Sequence, residues 1–384
     1  MIRFTHLVHG EGPVSGPAAA HSGLALAEGR PGPVVFWNVT SQCNLACTHC
    51  YLRSGPGRRR EDELTTDEAT ALIDDLAGAG VPLLLFSGGE PLVREDFWIL
   101  AAHARRRGLP AVLSTNGTLI TPDIARRLRD VGIGYAGISL DGATSATHDA
   151  FRRVPGSFDR SVQALRNCID AGLRCGVRFT VTKRNHDELG RLIALSRALG
   201  VHRFCVYWLV PSGRGGDVHA DLQVGPGEVR AVLDRVYREA LRTDPATMEF
   251  LTVDAPQDGA CLLARLEADA NPAYDRAYRL LARTGGCSAG RRVANIDPSG
   301  NVYPCQFAQF EEFLAGNIRD RPFSDLWNDP GNPVLAAFRA GGARPGSSCG
   351  TCGRREVCGT GCRIRAYARG GDLNGGDPLC LRQG

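Results

Sequence analysis

The sequence predicts an α/β fold: a partial (β/α)6 TIM-like barrel with a cysteine-rich C-terminal extension. Three observations predict it. Six apolar runs, at 34–39, 81–89, 110–117, 134–142, 176–182 and 203–211, are nearly continuous rather than alternating, as strands buried on both faces are. Amphipathic segments of helical length separate them, so each run returns to the sheet as a parallel strand. After about residue 243 this alternation fades, and the last hundred residues are rich in Gly, Pro and Cys.

In chain order, residues 1–32 are rich in Gly, Pro and Ala and read as an irregular lead-in. Residues 33–243 carry the strand–helix units. Their helical segments are 65–80, 94–108, 121–132, 157–172 and 185–200. All but the second open on Thr, Ser or Asn with acidic residues in the first turn, which satisfies the orphan amide groups, and glycine closes them. Residues 244–286 read as a mostly helical bridge. Residues 287–384 carry seven cysteines and too little apolar surface for a large core, so they are expected to fold around metal.

Composition excludes several classes. The 384 residues are 43% apolar and 22% charged, ordinary for a soluble globular protein. The net charge, 45 − 41 = +4, is too mild to argue for nucleic acid or an anionic membrane. Lys183 is the only lysine; the arginines are compatible with an acidic substrate but do not demand one. The N-terminus lacks the continuous apolar core of a secretory signal, and no run is long enough to span a membrane. A cytoplasmic location is expected, where fourteen cysteines read as thiols or metal ligands rather than disulfides.

Cys43, Cys47 and Cys50 form a C-x3-C-x2-C loop directly after the first strand. Three thiols are one fewer than tetrahedral zinc or most iron–sulfur clusters require. "SGGEP" (87–91), "STNGT" (114–118) and "SLDG" (139–142) end strands two, three and four, and the C-terminal strand ends are where barrels of this type place their chemistry. The cysteine loop followed by Tyr51 resembles the signature of the radical S-adenosylmethionine (SAM) enzymes, and "SGGEP" resembles the second motif of that superfamily. The resemblance implies a [4Fe–4S] cluster on three thiolates, with one iron left open for SAM and a 5′-deoxyadenosyl radical as the product of SAM cleavage. It further implies that Gly88, Gly89, Glu90 and Pro91 hold the SAM amino group. Ser139 and Asp141 would lie near the ribose, and Arg178 would pair with the SAM carboxylate; Ser114 and Asn116 are weaker candidates.

In the C-terminal segment, Cys287 is followed after twelve residues by Gly300 and then Cys305; Cys349, Cys352, Cys358 and Cys362 follow as C-x2-C-x5-C-x3-C, and Cys380 closes the series. This pattern resembles the seven-cysteine SPASM extension, which implies one or two auxiliary iron–sulfur clusters. The family's usual partition gives Cys349, Cys352, Cys358 and Cys380 to one cluster and Cys287, Cys305 and Cys362 to the other. The second set lacks a ligand, which Cys261, a substrate group, a smaller cluster or an open site could explain. Cys168, Cys175 and Cys205 read as core thiols.

Residues 36–51, "GISLDG", "FRRVPGSFDRSV", "VRFTVTKRN" and "GNIRDRPFSDLWNDP" resemble the heme-biosynthesis branch of the superfamily. That similarity implies oxidative decarboxylation or related side-chain modification of a tetrapyrrole, with a flavodoxin or ferredoxin-type reductant. Arg214, in "VYWLVPSGRGG", is a candidate clamp for a substrate carboxylate. Two alternatives stand: a maturase of a ribosomally made peptide, although residues 1–32 are too short and too rich in Gly and Pro for a winged-helix module, and radical oxidation of a natural-product small molecule.

Overall fold

The computed structural model describes residues 1–10, 32–340 and 347–381. Strand β1 (Ile2–Arg3) precedes the six expected strands: β2 (Val34–Asn38), β3 (Leu84–Ser87), β4 (Ala111–Thr115), β5 (Ile133–Ser139), β6 (Cys175–Val181) and β7 (Arg203–Trp208). Those six pair in parallel and in chain order. Two further parallel strands extend the sheet, β8 (Glu249–Val253) beside β7 and β9 (Val293–Ile296) beside β2. Antiparallel β1 edges β8, and β10 (Asn301–Tyr303) and β11 (Gly316–Asn317) edge β9. The order is β1-β8-β7-β6-β5-β4-β3-β2-β9-β10-β11, so the barrel is partial and open.

Three sequence expectations change. Residues 2–8, assigned to the lead-in, form β1 and the buried helix Phe4–Val8; residues 11–31 lie outside the described residues. The bridge at 244–286 opens on a strand, because "EFLTV" is a buried apolar run, before its expected helices Gln257–Ala268 and Tyr274–Thr284. The sheet crosses the expected boundary at residue 287 and continues into the C-terminal segment through β9–β11.

The expected helices form as Thr66–Gly78, Phe97–Arg106, Pro122–Asp130, Ser157–Asp170 and Leu189–Leu199, and Ser145–Arg152 adds one that the sequence reading did not assign. Thr65 and Glu68 make a reciprocal capping box, and the Thr121 hydroxyl accepts from the Ile124 amide. Ser157 is not a cap: Gly156 is, and the Ser157 hydroxyl donates to Asp149 at 2.8 Å. Under the sheet, Trp37, Phe86 and Phe97 form a chain of tilted and edge-on rings 5.9 and 5.5 Å apart. Each fully buried ring stabilises the fold by about 1.5–3 kcal/mol, which fixes the ends of β2 and β3 where the cysteine loop and "SGGEP" begin.

Candidate active site

The cysteine loop leaves β2 and folds back over the ends of β3 and β7. Val39 donates to the Ser87 carbonyl at 2.9 Å, Gly89 to Thr40 at 2.7 Å and Glu90 to Gln42 at 2.9 Å. A Cβ at Gly89 would stand 2.0 Å from the Gln42 carbonyl oxygen, so only glycine permits this approach. From the other side, Arg214 donates to the carbonyls of Cys47 (2.8 Å) and Ser54 (2.7 Å). Arg214 is thus a clamp on the cysteine loop and not the expected clamp on a substrate carboxylate.

Each loop sulfur accepts an N–H. Leu45 donates to Cys43 at 3.4 Å, Ser54 to Cys50 at 3.3 Å and the Arg152 guanidinium to Cys47 at 3.5 Å. Donors aimed at sulfur are what thiolate ligands of an iron–sulfur cluster need, and they tune its potential. Burial pushes the metal-free Cys43 thiol up to about 12, so its thiolate form depends on metal binding.

Gly88, Gly89, Ser114, Asn116, Ser139 and Arg178 line one cleft with the three cysteines. Glu90, Pro91 and Asp141 stand behind it. The buried Glu90 carboxylate accepts from the Thr115 hydroxyl (2.8 Å) and the Asn116 (2.9 Å) and Leu92 (3.3 Å) amides, tying the end of β3 to that of β4. Asp141 is fully buried and accepts from Arg152 (2.5 Å), the Thr180 amide (3.0 Å) and, across 3.2 Å, faces His49. It therefore positions Arg152 against Cys47 rather than reaching a ribose. His49 and Arg152 line the cleft as well, and the sequence reading assigned neither a role; the spacing of Asp141 and Arg152 carries no signal until a helix turn brings them together.

Burial raises Glu90 to about 7, above the ordinary range for a glutamate. A carboxyl raised on folding stabilises the protein below its unfolded pKa, and that contribution disappears as pH rises through the folded value. Stability of the metal-free protein is therefore expected to fall by up to about 3 kcal/mol between pH 4.5 and 7.5. Glu90→Gln flattens that slope in anaerobic urea titrations; a slope unchanged by the substitution contradicts the assignment.

Arg178 is the charged group the cleft leaves free. It extends from β6 across Gly137, where a Cβ would meet its Cδ at 2.8 Å. Its guanidinium lies over the Tyr207 ring at 4.6 Å, and among the described residues it has no carboxylate partner. A recessed cation without an anion is costly unless a ligand supplies one. Thr180, Tyr207, Trp208, Leu209, Val210, Gln306 and Phe307 line the same cleft. Phe307 packs edge-on against Tyr51 at 5.6 Å, joining the loop of Cys43–Cys50 to the segment of Cys305.

The remaining thiols fall into two sets. Cys287, Cys305 and Cys362 line a single cavity between the barrel and the extension. Cys352, Cys358 and Cys380 line another, and Cys349 lies within electrostatic reach of Cys358. Cys261 faces this second cavity, so it is not placed to complete the first set. Cys168, Cys175 and Cys205 are buried in the barrel core, as expected. The fully buried Asp377–Arg365 pair (2.7 Å) braces both sets, since Asp377 also accepts from the Cys362 amide at 2.7 Å and the Leu379 amide at 3.0 Å. Asp377→Ala is expected to cost about 3–5 kcal/mol by stranding Arg365. Chemical denaturation checks it; a loss below about 1 kcal/mol contradicts a bracing role.

The residues present fit a cluster with SAM, and comparison with known proteins agrees. The radical SAM superfamily model matches residues 37–195, and the SPASM iron–sulfur cluster-binding domain model matches residues 287–353. The chain is 38% identical to Fe-coproporphyrin III synthase of Methanosarcina barkeri, over 91% of this chain and 87% of that protein. It is 34% identical to AdoMet-dependent heme synthase of Nitratidesulfovibrio vulgaris, over 94% and 95%. Mycofactocin maturase MftC of Mycobacterium tuberculosis is 36% identical, over 92% and 84%. In fold, the chain resembles Streptococcus suis SuiB bound to S-adenosylmethionine, with a TM-score of 0.70 at 19% identity over 91% of this chain and 77% of that one. With its sulfur loop, SAM-type cleft and two further thiol sets, the chain belongs to the radical SAM superfamily and is an iron–sulfur enzyme of the SPASM type.

Proposed function

We propose that this enzyme oxidatively modifies a carboxylate side chain of a tetrapyrrole. When bound, the cluster and SAM supply a 5′-deoxyadenosyl radical that takes a hydrogen atom. Loss of a hydrogen atom, an electron and carbon dioxide from a propionate leaves a vinyl group, so the site must accept both the atom and the electron. The observation that carries this reading is a single cleft lined both by Cys43, Cys47 and Cys50 and by Gln306 and Phe307, which directly follow Cys305. Tyr207, Leu209, Val210 and Phe307 give it the apolar and aromatic wall that a flat macrocycle needs. The relatives named as Fe-coproporphyrin III and heme synthases support the same substrate class.

In this reading, a flavodoxin or ferredoxin-type protein delivers the priming electron, and fourteen free thiols suit the reducing cytoplasm. No helix among the described residues is long and apolar enough to cross a membrane. The SAM-loaded protein is expected to shift the Soret band of iron-coproporphyrin III at about one porphyrin per chain, with Phe307→Ala weakening binding. An unchanged Soret band contradicts the reading. The similarity to the maturase MftC favours a second reading, a peptide substrate; SAM turnover that requires a peptide and ignores porphyrin would establish it.

A further inference from the structure

The set of Cys287, Cys305 and Cys362 is one ligand short, and Cys261 belongs to the other cavity. We infer that Asp254 is the missing ligand, a carboxylate completing the auxiliary cluster held by these three thiols. The inference rests on reading them as cluster ligands.

Asp254 follows the last residue of β8 and lines the same cavity as the three sulfurs. Its backbone is left-handed, φ +61°, a conformation uncommon outside glycine that aspartate adopts more readily than most residues. The buried Arg365 guanidinium, fixed by Asp377, donates to the Asp254 carbonyl at 2.9 Å and holds this turn. Asp377 also holds the Cys362 amide, so one buried pair fixes both Cys362 and the turn that aims Asp254.

The carboxylate itself is almost unused. Its only hydrogen bond is from the Gln306 amide at 3.5 Å, the limit of the interaction, and it forms no ion pair among the described residues. Of the neighbouring guanidinium groups, Arg365 is committed to Asp377, Arg3 to Glu249 and Arg292 to the Thr284 carbonyl, while Arg178 acts on Asp254 without forming an ion pair. The Met1 amino group shares the cavity and is the competing partner. A carboxylate oxygen is a competent iron ligand, and exchanging it for a thiolate changes the potential of a cluster.

The test uses the full chain with Cys43, Cys47 and Cys50 changed to Ala, so that only auxiliary clusters remain. Asp254→Gly removes the carboxylate and relieves the left-handed backbone, which keeps loss of ligation separate from misfolding. Asp254→Cys offers a thiolate instead. Iron and sulfide per chain, EPR spectra of the reduced protein and midpoint potentials are measured anaerobically. Asp254→Gly is expected to change the spectrum of one cluster or lose its iron, with the other cluster unaltered. Asp254→Cys is expected to retain the iron and give a lower midpoint. Identical spectra and midpoints in all three proteins would overturn the assignment and leave Met1 as the partner of Asp254. Iron for only one auxiliary cluster before any change at Asp254 would instead overturn the reading of Cys287, Cys305 and Cys362, and the assignment with it.

Discussion

Replacing Arg178 by leucine is expected to weaken SAM binding about 10- to 100-fold while leaving the fold intact. The magnitude follows from the net worth of a hydrogen bond to a charged group, about 1.5–3 kcal/mol, at about 1.4 kcal/mol per tenfold. The intact fold follows from the structure, because the guanidinium rests on Tyr207 and donates to no protein acceptor among the described residues. Removing it strands no buried partner. Equilibrium dialysis with the reconstituted protein measures the effect. Unchanged SAM affinity combined with weakened porphyrin binding would move Arg178 from the cofactor to the substrate carboxylate.

Arg152→Met is expected to act on stability and on the cluster together. Arg152 and Asp141 are both buried at 2.5 Å, and removing the cation leaves Asp141 facing only His49 and the Thr180 amide. Breaking such a pair costs about 3–5 kcal/mol. The Arg152 field holds the Asp141 carboxyl well below the usual carboxylate range, so the pair stays charged across the working pH range. The same guanidinium donates to Cys47, and loss of a cation beside a cluster thiolate lowers the midpoint potential. Denaturation of the metal-free protein and redox titration of the loaded protein separate the two effects. A large loss of stability with an unchanged midpoint would reduce Arg152 to a structural residue.

Much of this was legible because the local signals agree with the fold. Six buried parallel strands need continuous apolar runs, and these six have them. The cysteine spacings are short and fall in loops, so their grouping survives any detail of packing. What the sequence hid depends on long-range geometry. "EFLTV" is too short to distinguish a strand from a helical turn until β7 lies beside it. Asp141 looked like a cleft residue because it ends a strand, but its side chain turns inward to Arg152, eleven positions on. Arg214 looked like a substrate clamp because it lies in a Gly-rich loop; the Gly213 turn instead brings it onto the Cys47 carbonyl, 167 residues away in sequence. Cys261 was indistinguishable from the missing ligand of Cys287, Cys305 and Cys362 until helix Gln257–Ala268 packed toward Cys352 and Cys380.

The most direct measurement is a single anaerobic turnover experiment. The protein is reconstituted with iron and sulfide, reduced, and given SAM with iron-coproporphyrin III, and both 5′-deoxyadenosine and porphyrin mass are followed. The expected result is 5′-deoxyadenosine formed in step with loss of one or two formic-acid equivalents from the porphyrin. Slow SAM cleavage with the porphyrin untouched would contradict the tetrapyrrole reading, and absence of SAM cleavage under every reducing condition would contradict the assignment of Cys43, Cys47 and Cys50.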